Sequence, residues 1–145
     1  YCIIKFKFNN YFIFSWITSF IIRIISNKEG MKYSLFIGRW QPWHDGHRWL
    51  IDQRLNEGKN VCIAIRDMPP DESNIFTPQE VKDNIENQLS ELIVANKVTV
   101  IIIPDIESVN YGRGVGYDII EHVPPKKIEK ISATEIRKKI LNEKS

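Results

Sequence analysis

Two short apolar runs, Val61–Ile65 (VCIAI) and Val98–Ile103 (VTVIII), constrain the fold more than any other feature of the chain. Neither alternates strictly between apolar and polar residues, so neither suits a strand with one wet face. Such runs suit parallel strands covered on both faces. Tyr33–Gly38 (YSLFIG) is a third, shorter β-prone run that ends in glycine. Between these runs the spacing becomes helical. Arg48–Leu55 predicts a helix with Trp49, Leu50 and Leu55 on its apolar side. Thr77-Pro78-Gln79-Glu80 reads as a capping box with proline at the first helical position. The helix it opens is expected to reach about Leu92, with Val81, Ile85, Leu89 and Leu92 on one side. Ser132-Ala133-Thr134-Glu135 reads as a second capping box, and Tyr117–Val123 as a further short strand. Strands alternating with helices predict an α/β chain: a Rossmann-like, doubly wound parallel sheet in a single small domain. Ligands of such sheets lie beyond the carboxyl ends of the strands.

Charge and composition divide the chain at Met31. Residues 1–30 hold four of the 20 basic side chains and one of the 18 acidic ones, which leaves 16 and 17 for residues 31–145. The main body is therefore nearly neutral and has no electrostatic footprint for nucleic acid. Within residues 1–30, Ile, Phe, Asn, Lys and Tyr make up 21 positions, and Leu, Val, Ala and Pro are absent. Their apolar core, 11–22, falls short of the roughly 20 residues of a membrane span. We read 1–30 as translated upstream sequence, with the domain at 31–145; a signal or short anchor is the alternative. Cys2 and Cys62 form no disulfide framework or metal spacing, which fits a reducing, cytoplasmic setting without a membrane partner.

The chemistry concentrates in Gly38-Arg39-Trp40-Gln41-Pro42-Trp43-His44-Asp45-Gly46-His47, between the first strand and the first helix. Gly46 permits close backbone approach, and the adjoining helix N-terminus offers free N–H groups to an anion. Two imidazoles there can donate to phosphoryl oxygens. Zinc is set aside, because no further His or Cys cluster accompanies the pair.

These residues resemble the GRFQPxHxGH signature of the nucleotidylyltransferase superfamily, with tryptophans where phenylalanines are common. The nearest resemblance is to nicotinamide-mononucleotide adenylyltransferases and small cytidylyltransferase-like proteins. Ser132-Ala133-Thr134-Glu135-Ile136-Arg137 is similar to the family's second signature, ISxTxIR. The resemblance spans about residues 33–142 and implies transfer of a nucleotidyl group from an NTP to a phosphate-bearing acceptor, with release of pyrophosphate. It implies that His44 and His47 contact the phosphates at the reacting phosphorus, and that Ser132, Thr134 and Arg137 hold the β- and γ-phosphates. Gly38, Arg39, Trp40 and Gly46 then lie beside the nucleotide, although Trp40 and Trp43 equally suit packing. Mg²⁺ is expected to arrive on the triphosphate rather than in a protein metal site. ATP with a mononucleotide acceptor is the leading expectation. CTP with an alcohol phosphate is the alternative, as is a non-catalytic nucleotide-binding module or half of a bifunctional enzyme. Family members are commonly oligomeric, which makes a homo-oligomer part of the implied picture.

The match thins in two places. Between the third strand and the ISxTxIR helix only Pro104–Lys130 is present, shorter than in many adenylyltransferases. Arg113, between two glycines, is either an acceptor contact or an exposed turn residue. Arg66 is either an acceptor contact or a partner of Asp67.

Overall fold

The computed structural model describes residues 30–114 and 116–144; the reading of residues 1–30 as upstream sequence lies outside them, apart from Gly30. The unit Tyr33–Ser145 is an α/β domain. Its elements are β1 (Tyr33–Gly38), α1 (Asp45–Leu55), β2 (Asn60–Asp67), α2 (Pro78–Gln88), α3 (Ser90–Val94), β3 (Val98–Pro104), α4 (Lys126–Glu129) and α5 (Ala133–Glu143). The three strands form one parallel sheet in the order β1-β2-β3, with Phe36, Ile63 and Val100 in register. The order steps in one direction, with no reversal among the described residues.

Burial follows from the central position of β2. Val61, Ile63 and Ile65 point to one face and are fully buried beneath Ile51 of α1 and Val81 and Ile85 of α2. The spacing Val81, Ile85, Leu89 brings one apolar stripe of α2 onto the sheet, as the helical pattern requires. The capping box at Thr77 forms as expected: the Thr77 hydroxyl accepts from the Glu80 N–H, and the Glu80 carboxylate accepts from the Thr77 N–H.

Five expectations need correction. The first helix begins at Asp45 rather than Arg48, because the His44 side chain caps it. Its fully buried residue is Ile51, with Leu50 and Leu55 packed partly against the core; Trp49 is outside that cluster. The helix expected to run to Leu92 breaks at Leu89, whose ψ of 20° leaves the helical range. Leu89 N–H still bonds Ile85 C=O and Ile93 N–H bonds Leu89 C=O, so the chain kinks and restarts as α3. In β3 only Val98 and Val100 are buried, while Ile101 and Ile102 are 39% and 37% exposed. An apolar run reports strand propensity and not what covers it. Finally, Tyr117–Val123 forms no strand: it pairs with neither β1 nor β3, His122 instead stacks on the Phe36 ring, and Pro124 and Pro125 follow.

No helix among the described residues is long and apolar enough to cross a membrane.

Candidate functional site

The loop from Gly38 to His44 is held by its own side chains. Trp40 adopts φ 54°, a left-handed backbone that a bulky residue takes only when its surroundings demand it. Here the indole folds back over the sheet and donates to the Ala64 carbonyl at 3.0 Å, buried. Gly38 makes that fold possible, since a Cβ there would sit 2.9 Å from the Trp40 ring. Trp40 and Trp43 are both buried in the core cluster, and the missing side chain of Gly38 makes room for the Trp40 ring. Between them Gln41 is buried as well, with its amide paired to the backbone of Phe76.

This platform carries the histidines. His44 is the N-cap of α1, with an extended backbone, and its Nδ1 accepts from the Gly46 N–H at 3.1 Å. Accepting at Nδ1 places the imidazole proton on Nε2, which becomes the donor. Gly46 is required by the same contact, because a Cβ there would lie 2.9 Å from His44 Cε1. His47 follows in the first turn, and the spacing of three residues stacks the two rings at 3.6 Å between centroids and 18° between planes. The His47 ring also meets Trp40 edge-on at 4.9 Å and Trp43, tilted, at 5.5 Å between centroids.

Burial sets the protonation of the pair. Removal from water pushes His44 below the ordinary imidazole range, against the opposing field of Asp45. It pushes His47 down to about 3, with the His44 ring adding to the effect. Both are therefore neutral near pH 7. His47 Nδ1 is a buried polar atom with no hydrogen-bond partner, a group that ordinarily finds one. The arrangement suits two neutral donors facing an anion, with no basic group held in reserve.

The second segment arrives from the opposite end of the chain. Arg137, in α5, donates from Nη1 to the Gln41 carbonyl at 2.7 Å and from Nη2 to Thr134 Oγ1 at 3.1 Å. The Ile131 side chain, just before α5, also approaches α1, with its Cβ 3.8 Å from where a Gly46 Cβ would stand. Two motifs 96 residues apart in sequence thus meet. No carboxylate among the described residues pairs with Arg137 in an ion pair. The expected capping box at Ser132 does not form. Ser132 occupies the N-cap, but its side chain makes no capping bond, so the first-turn N–H groups of this 11-residue helix lack a side-chain cap.

The remaining sequence-named residues are placed elsewhere. Arg66 is tied to the loop after β3, donating to Asp105 at 2.8 Å and to the Ile106 carbonyl at 3.2 Å, and not to Asp67. Arg113 lies on the exposed stretch after β3, with no hydrogen bond or ion pair to the histidine loop. Arg39 is exposed, and its charge reaches Asp71 in the loop before α2. Gln41 and Phe76 were not legible as partners, because their bonds join segments 35 residues apart. A cavity of about 340 Å³ lies between this loop and α2, lined by Trp40, Pro42, Phe76, Glu80, Val81 and Asn84. No group of three or more His, Cys, Asp or Glu side chains among the described residues is placed to hold a metal ion.

No family model matches the chain, and no curated protein matches it.

Proposed function

We propose that this chain is a nucleotidylyltransferase of Rossmann-like fold, acting in the cytoplasm. It would transfer the nucleotidyl group of an NTP, ATP first, to a small phosphorylated acceptor such as a mononucleotide. The observation that carries this reading is the 2.7 Å bond from Arg137 to the Gln41 carbonyl, which joins the loop of the histidine pair to the first turns of α5. An uncompensated guanidinium, an uncapped helix N-terminus and two neutral imidazoles together suit an extended polyanion better than a single phosphate.

In this reaction an acceptor phosphate oxygen forms a bond to the α-phosphorus, and the bond from that phosphorus to the bridging oxygen of the β-phosphate breaks. The electron pair leaves with pyrophosphate. The attacking oxygen is already ionised, so no strong base is required, which agrees with imidazoles held neutral by burial. His44 Nε2–H and the His47 ring donate to the α-phosphate oxygens, where negative charge develops. Arg137, the Ser132 hydroxyl and the first-turn N–H groups of α5 hold the departing pyrophosphate. Magnesium would enter with the substrate, as its triphosphate complex.

The test is pyrophosphate release from ATP, CTP, GTP and UTP, each with mononucleotide and alcohol-phosphate acceptors. Release with one pair, lost in Arg137→Ala, supports the reading. Binding without release in every combination would replace it with a nucleotide-binding module.

A further inference from the structure

Gln41 lies between two tryptophans and is 6% exposed, a burial at which a primary amide must find partners. It finds both on one residue. Its Oε1 accepts from the Phe76 N–H at 3.0 Å, and its Nε2 donates to the Phe76 carbonyl at 2.7 Å. The side chain thus pairs with a backbone as a neighbouring strand would, at the residue that immediately precedes the Thr77 cap of α2. The backbone carbonyl of the same Gln41 accepts from Arg137. One residue therefore joins three segments: the histidine loop, the entry to α2, and α5.

The consequence falls on Arg137. Two neutral acceptors, Gln41 C=O and Thr134 Oγ1, fix two of its nitrogens and leave the full positive charge and the remaining donors for a ligand. The Gln41 carbonyl can fix the guanidinium only if its own height is set, and the Phe76 pairing sets it. We propose that Gln41 is a positioning residue of the nucleotidyl-transfer site, aligning Arg137 toward the triphosphate through its main-chain carbonyl without touching substrate itself. This rests on the function proposed above.

A strut that merely stabilised the fold would act independently of Arg137, and a double-mutant cycle separates the two roles. The affinity of the full chain for inorganic triphosphate is measured by calorimetry for wild type, Gln41→Met, Arg137→Ala and the double variant, with thermal melts fixing the folded fraction. Each single change is expected to weaken binding about tenfold, and Gln41→Met to weaken it no more than about twofold once Arg137 is alanine. Effects that multiply to about a hundredfold, or a Gln41→Met chain that binds as wild type does, would overturn the proposal. Should Gln41→Met fail to fold, Gln41→Glu, which keeps the acceptor for the Phe76 N–H, enters the same cycle with the same expectations. If the unmodified chain does not bind triphosphate, the proposed function falls and this role with it. Binding by the unmodified chain with independent effects removes the positioning role alone.

Discussion

The stretch Gly38–His47 and the stretch Asn110–Tyr117 look alike as sequences. Each has glycines (two in the first, three in the second), aromatic residues and an arginine beside a glycine, and each lies at or after the end of a strand. In the folded chain they part company. In the first, the indole of Trp40 bonds Ala64, the amide of Gln41 bonds Phe76, and the imidazole of His44 caps α1. In the second, Tyr111 and Tyr117 are 65% and 54% exposed, and a Cβ on Gly112, Gly114 or Gly116 would meet nothing. Glycine and arginine near a strand end do not by themselves hold a loop in place. What holds the first stretch is a set of side chains that answer the backbone groups of other segments and so fix a few polar atoms in direction.

The largest expected difference between the two stretches is in stability. Trp40→Ala should destabilise the domain by about 3–5 kcal/mol, the usual range for removing a buried aromatic. Tyr117→Ala should stay within about 0.5 kcal/mol. Denaturant melts of both variants check this, and equal losses would erase the contrast.

Acid should act next, and through the first stretch. His47 has a folded-state pKa of about 3, below its unfolded value of about 6.5, so the unfolded chain binds the proton more readily between those values. Stability supplied by this group is complete above about pH 6.5 and is lost as pH falls toward 3, by at most about 1.4 kcal/mol per pH unit. Melting temperature followed against pH should show this slope in wild type and lose most of it in His47→Phe. An unchanged slope would mean that the ring is already charged or exposed.

Catalysis separates the two arginines. Arg137→Ala should lower kcat/KM at least about tenfold, equivalent to about 1.4 kcal/mol of transition-state stabilisation. Arg113→Ala should change it less than about twofold. Steady-state kinetics on the two variants would reverse the assignment if Arg113 proved the more sensitive. A loss of stability between those of Trp40→Ala and Tyr117→Ala is expected from Gly46→Ala. Its methyl group would press on the His44 ring and weaken the cap, at about 1 kcal/mol. A melt of that variant equal to wild type would show that the ring moves aside freely.

Much of the frame was legible in the residues themselves. The apolar runs located all three strands, and Thr77-Pro78-Gln79-Glu80 located the start of α2, because both signals are local. The first helix was read three residues late for an equally local reason. Histidine is not among the usual capping residues, and its role appears only when Nδ1 is seen to accept from Gly46. Ser132 misled in the opposite sense: serine followed three residues later by glutamate signals a capping box, yet the hydroxyl makes no such bond. The pairing of Gln41 with Phe76, the bond from Arg137 to Gln41 and the bond from Arg66 to Asp105 were not legible, since each depends on where a distant segment comes to rest. The site's residue types were thus readable, while the contacts that align them were not.

The central claim is that the histidine pair and α5 together act on the triphosphate of a nucleotide. Pyrophosphate release measured for wild type and His44→Ala, across the four NTPs with phosphorylated acceptors, tests it most directly. The account predicts release by wild type with one pair of substrates and at least about a tenfold fall in kcat/KM in His44→Ala. Release at the wild-type rate by His44→Ala, or no release by wild type with any pair, would contradict it.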